Sequence, residues 1–414
     1  MKQIILFILT VIEFSLYSQV ATMPDGSGTT EDPYQIASFE NLYWITLDVS
    51  RRYYNYIQIS DINASITYKM YPDSTGNYLG WNCNNTYFPS EYNGNYDGQG
   101  YTIDSLYINR PTEDGVGLFT GGVTNLGLTN VNITGRDYTG SVGGNSSNCF
   151  VTGIIRGNNY VGGIGSTAGW GISRCFSNAT VIGNSKVGGI CGYSSNWIEN
   201  CYSNGIISGT SNVGGISGIC GDDIDDWSWV EYCYSSAKVS GDSNVGGLIG
   251  DSYQLMLTSC YWDIEASGIS TSAGGAGKTT EQMKDISTYA GWDFASIWNI
   301  DPSINEGYPF LRWQNLSGIE IVENLLNSSK LYHNYPNPFN PATTISYALS
   351  QAAQVELSVY NLKGQLVQSL VNGKIDKGVH TTEFNGTNLT TGMYIYNLKV
   401  DDKIVQSRKM MLLK

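Results

Sequence analysis

Histidine is almost missing from this chain: 2 residues in 414, His333 and His380, both near the C-terminal end. Residues 1–330 therefore hold no imidazole for a Ser–His–Asp triad and none for a histidine-ligated metal site. Charge is scarce too, at 14% of residues against roughly 25% in an ordinary soluble domain. What charge there is leans acidic, 22 basic residues against 36 acidic, for a net −14. Such a chain repels phosphate backbones and anionic lipid heads, which argues against nucleic acid and membrane surfaces as partners. Long apolar runs are also lacking. Beyond the N-terminal stretch, nothing approaches the ~18 apolar residues that a spanning helix needs, so no transmembrane segment is expected in the mature chain. Nothing in the residues calls for a cofactor.

That N-terminal stretch is Met1-Lys2-Gln3 followed by an apolar run from Ile4 to Tyr17. A basic start and about a dozen apolar residues read as a secretory signal over residues 1–18. Glycine (49) and tyrosine (30), with Ser, Asn and Thr, take the place of the missing charge and supply turns and neutral β walls.

Five times the chain writes cysteine and then an aromatic: Cys149-Phe150, Cys175-Phe176, Cys201-Tyr202, Cys233-Tyr234 and Cys260-Tyr261. The spacings are 26, 26, 32 and 27 residues. Between them recurs Val161-Gly162-Gly163-Ile164, Val187-Gly188-Gly189-Ile190, Val213-Gly214-Gly215-Ile216 and Val245-Gly246-Gly247-Leu248. A period near 26 without a helical apolar pattern predicts stacked coils, a parallel β-solenoid (β-helix), in which each coil buries its inner face only against its neighbours. The glycine pairs fit corners that need positive φ or close backbone approach. An N-terminal copy begins at Val116, places Gly127 in the cysteine position and continues inward through Thr129, Val131 and Ile133.

Period-two alternation sets the faces. Cys201, Ser203, Gly205 and Ile207 match Cys175, Ser177, Ala179 and Val181, and again Cys233, Ser235, Ala237 and Val239. These point inward, while Thr180, Asn204, Lys238 and Ser240 point outward. Successive coils lie ~4.8 Å apart with parallel Cβ vectors, a poor geometry for bridging. A ladder of buried free thiols is expected; Cys83, Cys191 and Cys220 fall outside it, with a pair among them left open. Upstream, Ser38 before Phe39, Leu42, Ile45 and Leu47 predicts an N-capped helix that covers the first coil.

The VGGIxG…CYSNGxxSG units resemble the GLUG repeats of bacterial surface adhesins and secreted coat-like proteins. The stretch from Tyr261-Trp262-Asp263 to Gly307-Tyr308-Pro309-Phe310 resembles the segment that closes such arrays. Domain boundaries follow: residues 19–115 an N-terminal cap and first coils, 116–313 the repeat solenoid with its closing segment, and 314–330 a linker. Beyond the linker, three prolines crowd into 336–341 and short alternating strands follow, which suggests a small Ig-like β-sandwich over 331–414. The phrases NYPNPFNPATTI, VYNLKGQLV, TTGMYIYNL and KMMLLK there resemble the type A C-terminal sorting domain of proteins exported by type IX secretion. That resemblance implies the type IX machinery as a partner, and retention at the cell surface or release outside.

Three clusters are candidates for chemistry. Ser272–Thr280 (SAGGAGKTT) lacks the first glycine of a phosphate loop and has no nucleotide domain around it, so a glycine-rich loop is expected. Asp222, Asp223, Asp225 and Asp226 could offer oxygen ligands to calcium or paired carboxylates for glycoside hydrolysis, but a solvated acidic loop on a longer coil is the expected reading, with no metal site. The aromatic ladder Phe150, Phe176, Tyr202, Tyr234 and Tyr261 faces away from the thiols. Exposed, it would stack against sugar rings; covered, it would only stabilise the coils. The expected function is non-catalytic adhesion or glycan recognition, with a polysaccharide-degrading enzyme or a structural spacer as rivals.

Overall fold

The computed structural model describes residues 20–82, 95–119, 121–221, 227–314, 329–331, 334, 339–349, 351–375 and 378–413. The signal segment, Cys83, the Asp222–Asp226 cluster and most of the linker lie outside the described residues. The chain divides into two compact units, Met1–Phe310 and Leu311–Lys414.

The first unit is a parallel β-solenoid, with its coils stacked in register. Phe150–Arg156 pairs with Phe176–Ile182 residue for residue, from Phe150 on Phe176 to Arg156 on Ile182. This cysteine–aromatic sheet runs from Ile62–Asn63 to Ala276–Lys278. A second, nine-stranded sheet begins at Tyr34–Ile36 and ends at Leu255–Thr258. Two four-stranded sheets complete the coils, one of Asn159–Gly162, Ser185–Gly188, Ser211–Gly214 and Ser243–Gly246. The other comprises Gly165–Ala168, Cys191–Ser194, Ser217–Cys220 and Ile249–Ser252.

The two small sheets meet backbone to backbone, and this explains the first glycine of each Val-Gly-Gly phrase; the second faces the next coil's carbonyl and an inward serine, as Gly189 faces Gly215 and Ser203. A Cβ at Gly188 would strike the Cys191 carbonyl and lie 2.8 Å from the Gly218 nitrogen. None of Gly162, Gly188 or Gly214 has a left-handed φ; close approach, not backbone twist, requires glycine here. Left-handed corners fall instead on the residue before each cysteine: Asn148, Arg174, Asn200, Tyr232 and Ser259, with φ from 47° to 54°.

The ladder cysteines lie in the core and are free, as are Cys191 and Cys220. Each backbone amide donates to the next thiol along: Cys149 N to Cys175 Sγ at 3.3 Å, Cys175 to Cys201 at 3.4 Å, Cys201 to Cys233 at 3.3 Å. Cys191 and Cys220 do not pair with each other; Cys191 Sγ sits 3.6 Å from Ser217 Oγ. Burial pushes the thiols of Cys175, Cys191 and Cys233 up, and that of Cys220 to about 11, because ionisation would place charge in an apolar core.

The frame of the first copy needs correction. Gly127 pairs with Phe150, not with a cysteine, and buried Leu126 occupies the thiol column. Thr129 is accordingly not fully buried, while Leu128, Val131 and Ile133 are. A Cβ at Gly127 would collide with the Phe150 ring, so glycine yields room to the aromatic above it. The predicted helix forms at Phe39–Ile45, with Ser38 Oγ accepting from the Asn41 amide and Phe39, Leu42 and Ile45 buried; Leu47 lies beyond its end and is exposed. Ser272–Thr280 is no phosphate loop: Ala276–Lys278 adds a strand beside Tyr261–Asp263, and Ser272 Oγ accepts from the Ile249 amide.

The second unit holds two antiparallel sheets. One comprises Lys330–Leu331, Ala342–Leu349 and Gly378–Asn385; the other, Leu366–Ile375, Ala353–Asn361, Gly392–Val400 and Lys403–Leu412. Ile345, Tyr347 and Phe384 from one face meet Val355, Leu357, Tyr396 and Met410 from the other. Alternate residues along each strand supply this shared core, the pattern of a sandwich.

Candidate functional site

Four of the five rings of the predicted aromatic ladder, Phe150 to Tyr234, form a regular stack, while Tyr261 follows in backbone register and meets Tyr289 edge-on. Phe150–Phe176, Phe176–Tyr202 and Tyr202–Tyr234 have ring centroids 5.0, 5.0 and 5.1 Å apart and planes within 4° of parallel. Coil spacing produces this directly, because equivalent side chains on parallel in-register strands project side by side.

Its middle is nevertheless not a surface. Tyr202 and Tyr234 are 1% and 0% exposed, beneath the chain from Ile286 to Phe310. Trp298 lies 6.2 and 6.1 Å from the two rings, and Tyr308 stacks on Tyr234 at 6.1 Å. The Tyr234 hydroxyl donates to the Pro309 carbonyl at 2.7 Å and accepts from Asn305 Nδ2 at 2.8 Å. Trp298 Nε1 donates to Asn200 Oδ1 at 2.9 Å, and Trp292 Nε1 to the Ser259 carbonyl at 2.9 Å. Burial pushes the Tyr234 hydroxyl well above its ordinary value. A ligand cannot reach Tyr202 or Tyr234 without lifting this segment, so these two leave the candidate list. Phe150, Phe176 and Tyr261 are half-buried.

The nine-stranded sheet presents a different aromatic column to solvent. Four residues before each ladder cysteine stand Asn145, Gly171, Trp197, Trp229 and Met256, stacked in register. Trp197 and Trp229 lie 5.6 Å apart with planes 32° from parallel. Trp197 is 52% exposed, and Trp170, beside Gly171, 58%. Two residues further on, Ser147, Ser173, Glu199, Glu231 and Thr258 form a parallel polar column. Between the columns Ile172, Ile198 and Val230 point into the core, which anchors both columns on rigid strands.

A shallow cleft of about 230 Å³ opens here, lined by Asn145, Ser147, Trp170, Gly171, Trp197 and Glu199 among others. Gly171 supplies a floor without a side chain between two indoles. Asn196 holds the walls: its Nδ2 donates to the Gly169 carbonyl at 3.1 Å, and its Oδ1 accepts from the Trp197 amide at 3.1 Å. Ser173 Oγ donates to Ser147 Oγ at 3.1 Å, and Glu199 accepts from Asn200 Nδ2 at 2.9 Å. Flat apolar walls and a rim of hydroxyl, amide and carboxylate suit a ligand with an apolar face and polar edges. Sequence reading passed over these tryptophans because it followed the residue after each cysteine. Their signal was the run before it: GWGISRC, NWIENC and SWVEYC. Among the described residues, no group of three or more His, Cys, Asp or Glu is placed to hold a metal ion.

Three comparisons place the chain among known proteins. Residues 333–413 match the family model of the secretion system C-terminal sorting domain. Halomucin from Haloquadratum walsbyi is 36% identical over 160 residues, covering 34% of this chain and 2% of halomucin, so the chain spans a small fraction of that relative's length. A crystal structure of a "putative immunoglobulin A1 protease" from Bacteroides ovatus superposes with a TM-score of 0.51 at 21% identity, over 70% of this chain and 95% of that one. At that identity the likeness speaks for the fold alone. No helix among the described residues is long and apolar enough to cross a membrane. The sorting domain at residues 333–413 marks this solenoid protein as one exported by type IX secretion to the cell surface or the extracellular space.

Proposed function

We propose that the protein is a non-catalytic recognition protein that acts in adhesion by binding glycans or a glycan-coated surface. The observation that carries this reading is the pair of solvent-exposed tryptophans, Trp197 on a parallel strand and Trp170 in the bend just before the neighbouring strand, around a glycine floor. Indoles left this open on a rigid sheet are enriched where proteins meet ligands. The resemblance of the coils to GLUG repeats of surface adhesins supports it, as does the dearth of imidazole. The half-buried rings of Phe150 and Phe176 form a separate stacked pair on the twelve-stranded sheet.

The rival reading, a polysaccharide-degrading β-helix enzyme, draws on Glu199 and Glu231, which face outward on adjacent coils beside the tryptophans. Paired carboxylates are the machinery of glycoside hydrolysis. A glycan-array screen of the purified chain, followed by incubation with every glycan it retains, separates the two. Retention without release of reducing ends supports recognition; reducing ends that vanish with E199Q or E231Q establish the enzyme. Retention of no glycan sinks both and leaves the spacer role.

A further inference from the structure

We propose that the Trp170–Trp197 cleft is a subsite for an uncharged polysaccharide, whose successive sugar rings lie along the solenoid axis from Trp170 across Trp197 to Trp229. The proposal rests on the glycan-recognition reading above and names the class of ligand. Three observations carry it.

The first is that the chain covers one aromatic column and leaves another open. Tyr202 and Tyr234 disappear beneath the Ile286–Phe310 segment, where the Tyr234 hydroxyl bonds to it. Trp170 and Trp197 stay more than half exposed on the same solenoid. Each exposed indole forfeits the burial that would stabilise the fold and leaves apolar surface open to a ligand.

The second is the shape and spacing of the walls. Trp170 flanks Gly171 on one coil, Trp197 stands on the next, and Trp229 follows 5.6 Å away. Trp197 and Trp229, in register on adjacent coils, match a ligand that itself repeats, and a polymer that reaches them can also lie against Trp170. Beside the indoles, Ser147, Ser173 and Glu199 offer hydrogen-bonding groups to the hydroxyls at a sugar's edge. Asn196 fixes the segments before both walls, so little ordering cost falls on binding.

The third is charge. Among the described residues, Glu199 is the one ionisable group lining the cleft, and Glu231 follows it on the next coil. On a chain of net −14, uronate or sulfate groups would meet carboxylates at the rim and a repulsive field beyond. Neutral sugars meet neither penalty.

The test uses the purified full chain in affinity gel electrophoresis, with tryptophan-fluorescence titration as a second readout. The probes are neutral polymers (mixed-linkage β-glucan, galactomannan and xylan), acidic ones (polygalacturonate and alginate) and an apolar peptide. At least one neutral polymer should retard the parent chain and quench its emission, while the acidic polymers do neither. W170A and W197A should each weaken that binding about tenfold, the equivalent of one lost ring contact. Their melting temperatures should stay within about 2 °C of the parent, since both side chains are exposed; W170F and W197F should recover part of the affinity. Neutral-polymer binding unchanged in W170A and W197A overturns the subsite while glycan recognition stands on another surface. Preference for acidic polymers, or for the peptide through these same tryptophans, overturns the ligand class. A parent chain that binds no glycan overturns the recognition reading itself.

Discussion

The solenoid carries two aromatic columns built by the same rule and put to opposite use. In the column after the cysteines, Phe150, Phe176, Tyr202 and Tyr234 stack at 5.0–5.1 Å, nearly parallel. In the column before them, Trp197 and Trp229 stack at 5.6 Å. Coil repetition makes such stacks wherever the same residue type recurs at the same register. The Tyr202–Tyr234 end of the first becomes core because a segment nearly a hundred residues further on returns over it: Trp298 bonds Asn200, 98 positions away. The second stays wet because nothing in the described chain covers it. Repetition lines up the rings; a distant, unrepeated segment decides which line is buried.

Uncovering the first column is the strongest way to break that contrast. Trp298 is fully buried against both tyrosines, so W298A should cost roughly 3–5 kcal/mol through the cavity and lost contacts. Chemical denaturation would register it, and Tyr202 and Tyr234 should become accessible to a tyrosine-modifying reagent. Unchanged stability would mean that the segment merely rests on the ladder.

The inner face supplies a control that shares neither fate. Cys220 is fully buried with its thiol pushed up to about 11 from an ordinary 9.0, so its native contribution is complete below pH ~9 and is lost as pH rises toward 11. In that window the unfolded chain binds fewer protons than the folded one. Stability therefore falls by about 1.4 kcal/mol for every tenfold drop in proton concentration, on the order of 3 kcal/mol by pH ~11. A melting series from pH 7 to 11 should be flat and then decline. Mass spectrometry after alkylation should find Cys149, Cys175, Cys201, Cys233 and Cys260 unmodified in the native chain and modified in denaturant; linked peptides joining them would refute a free-thiol core.

Removing one atom sharpens the contrast. Y234F deletes the hydroxyl between Asn305 and the Pro309 carbonyl, but Asn305 Nδ2 also reaches that carbonyl directly at 2.8 Å. The expected cost is about 1 kcal/mol, readable as a shift in denaturant midpoint. The smallest effect belongs to the open column: W197A should change stability by no more than about 0.5 kcal/mol. A larger loss there would show that the tryptophan stack supports the coils as the tyrosine stack does.

Much of this was legible before the structure. Inward Cys175, Ser177, Ala179 and Val181, free thiols, parallel coils, the helix at Phe39 and the C-terminal strands all follow from local alternation and spacing, which the backbone obeys directly. The frame at Gly127 was misread because a glycine has no side chain to declare its face; the Phe150 ring above it settles the register. Trp170 and Trp197 went unnoticed because the preceding strand varies from Asn145 to Met256, so that no repeating letter drew attention to it.

The sequence alone determined the repeat, the inward column and the presence of a sorting domain, since these rest on periodicity and on contiguous phrases. Only the tertiary structure decided which aromatics are reachable. Solvent exposure depends on what else packs against a face, and residues Ile286–Phe310 carry no periodic mark of where they will lie. It also decided why the first glycine of each Val-Gly-Gly phrase is needed: not for a left-handed turn, but because two sheets approach until no Cβ fits between them. Both are properties of surfaces brought together from distant parts of the chain, and alternation along one strand cannot encode them.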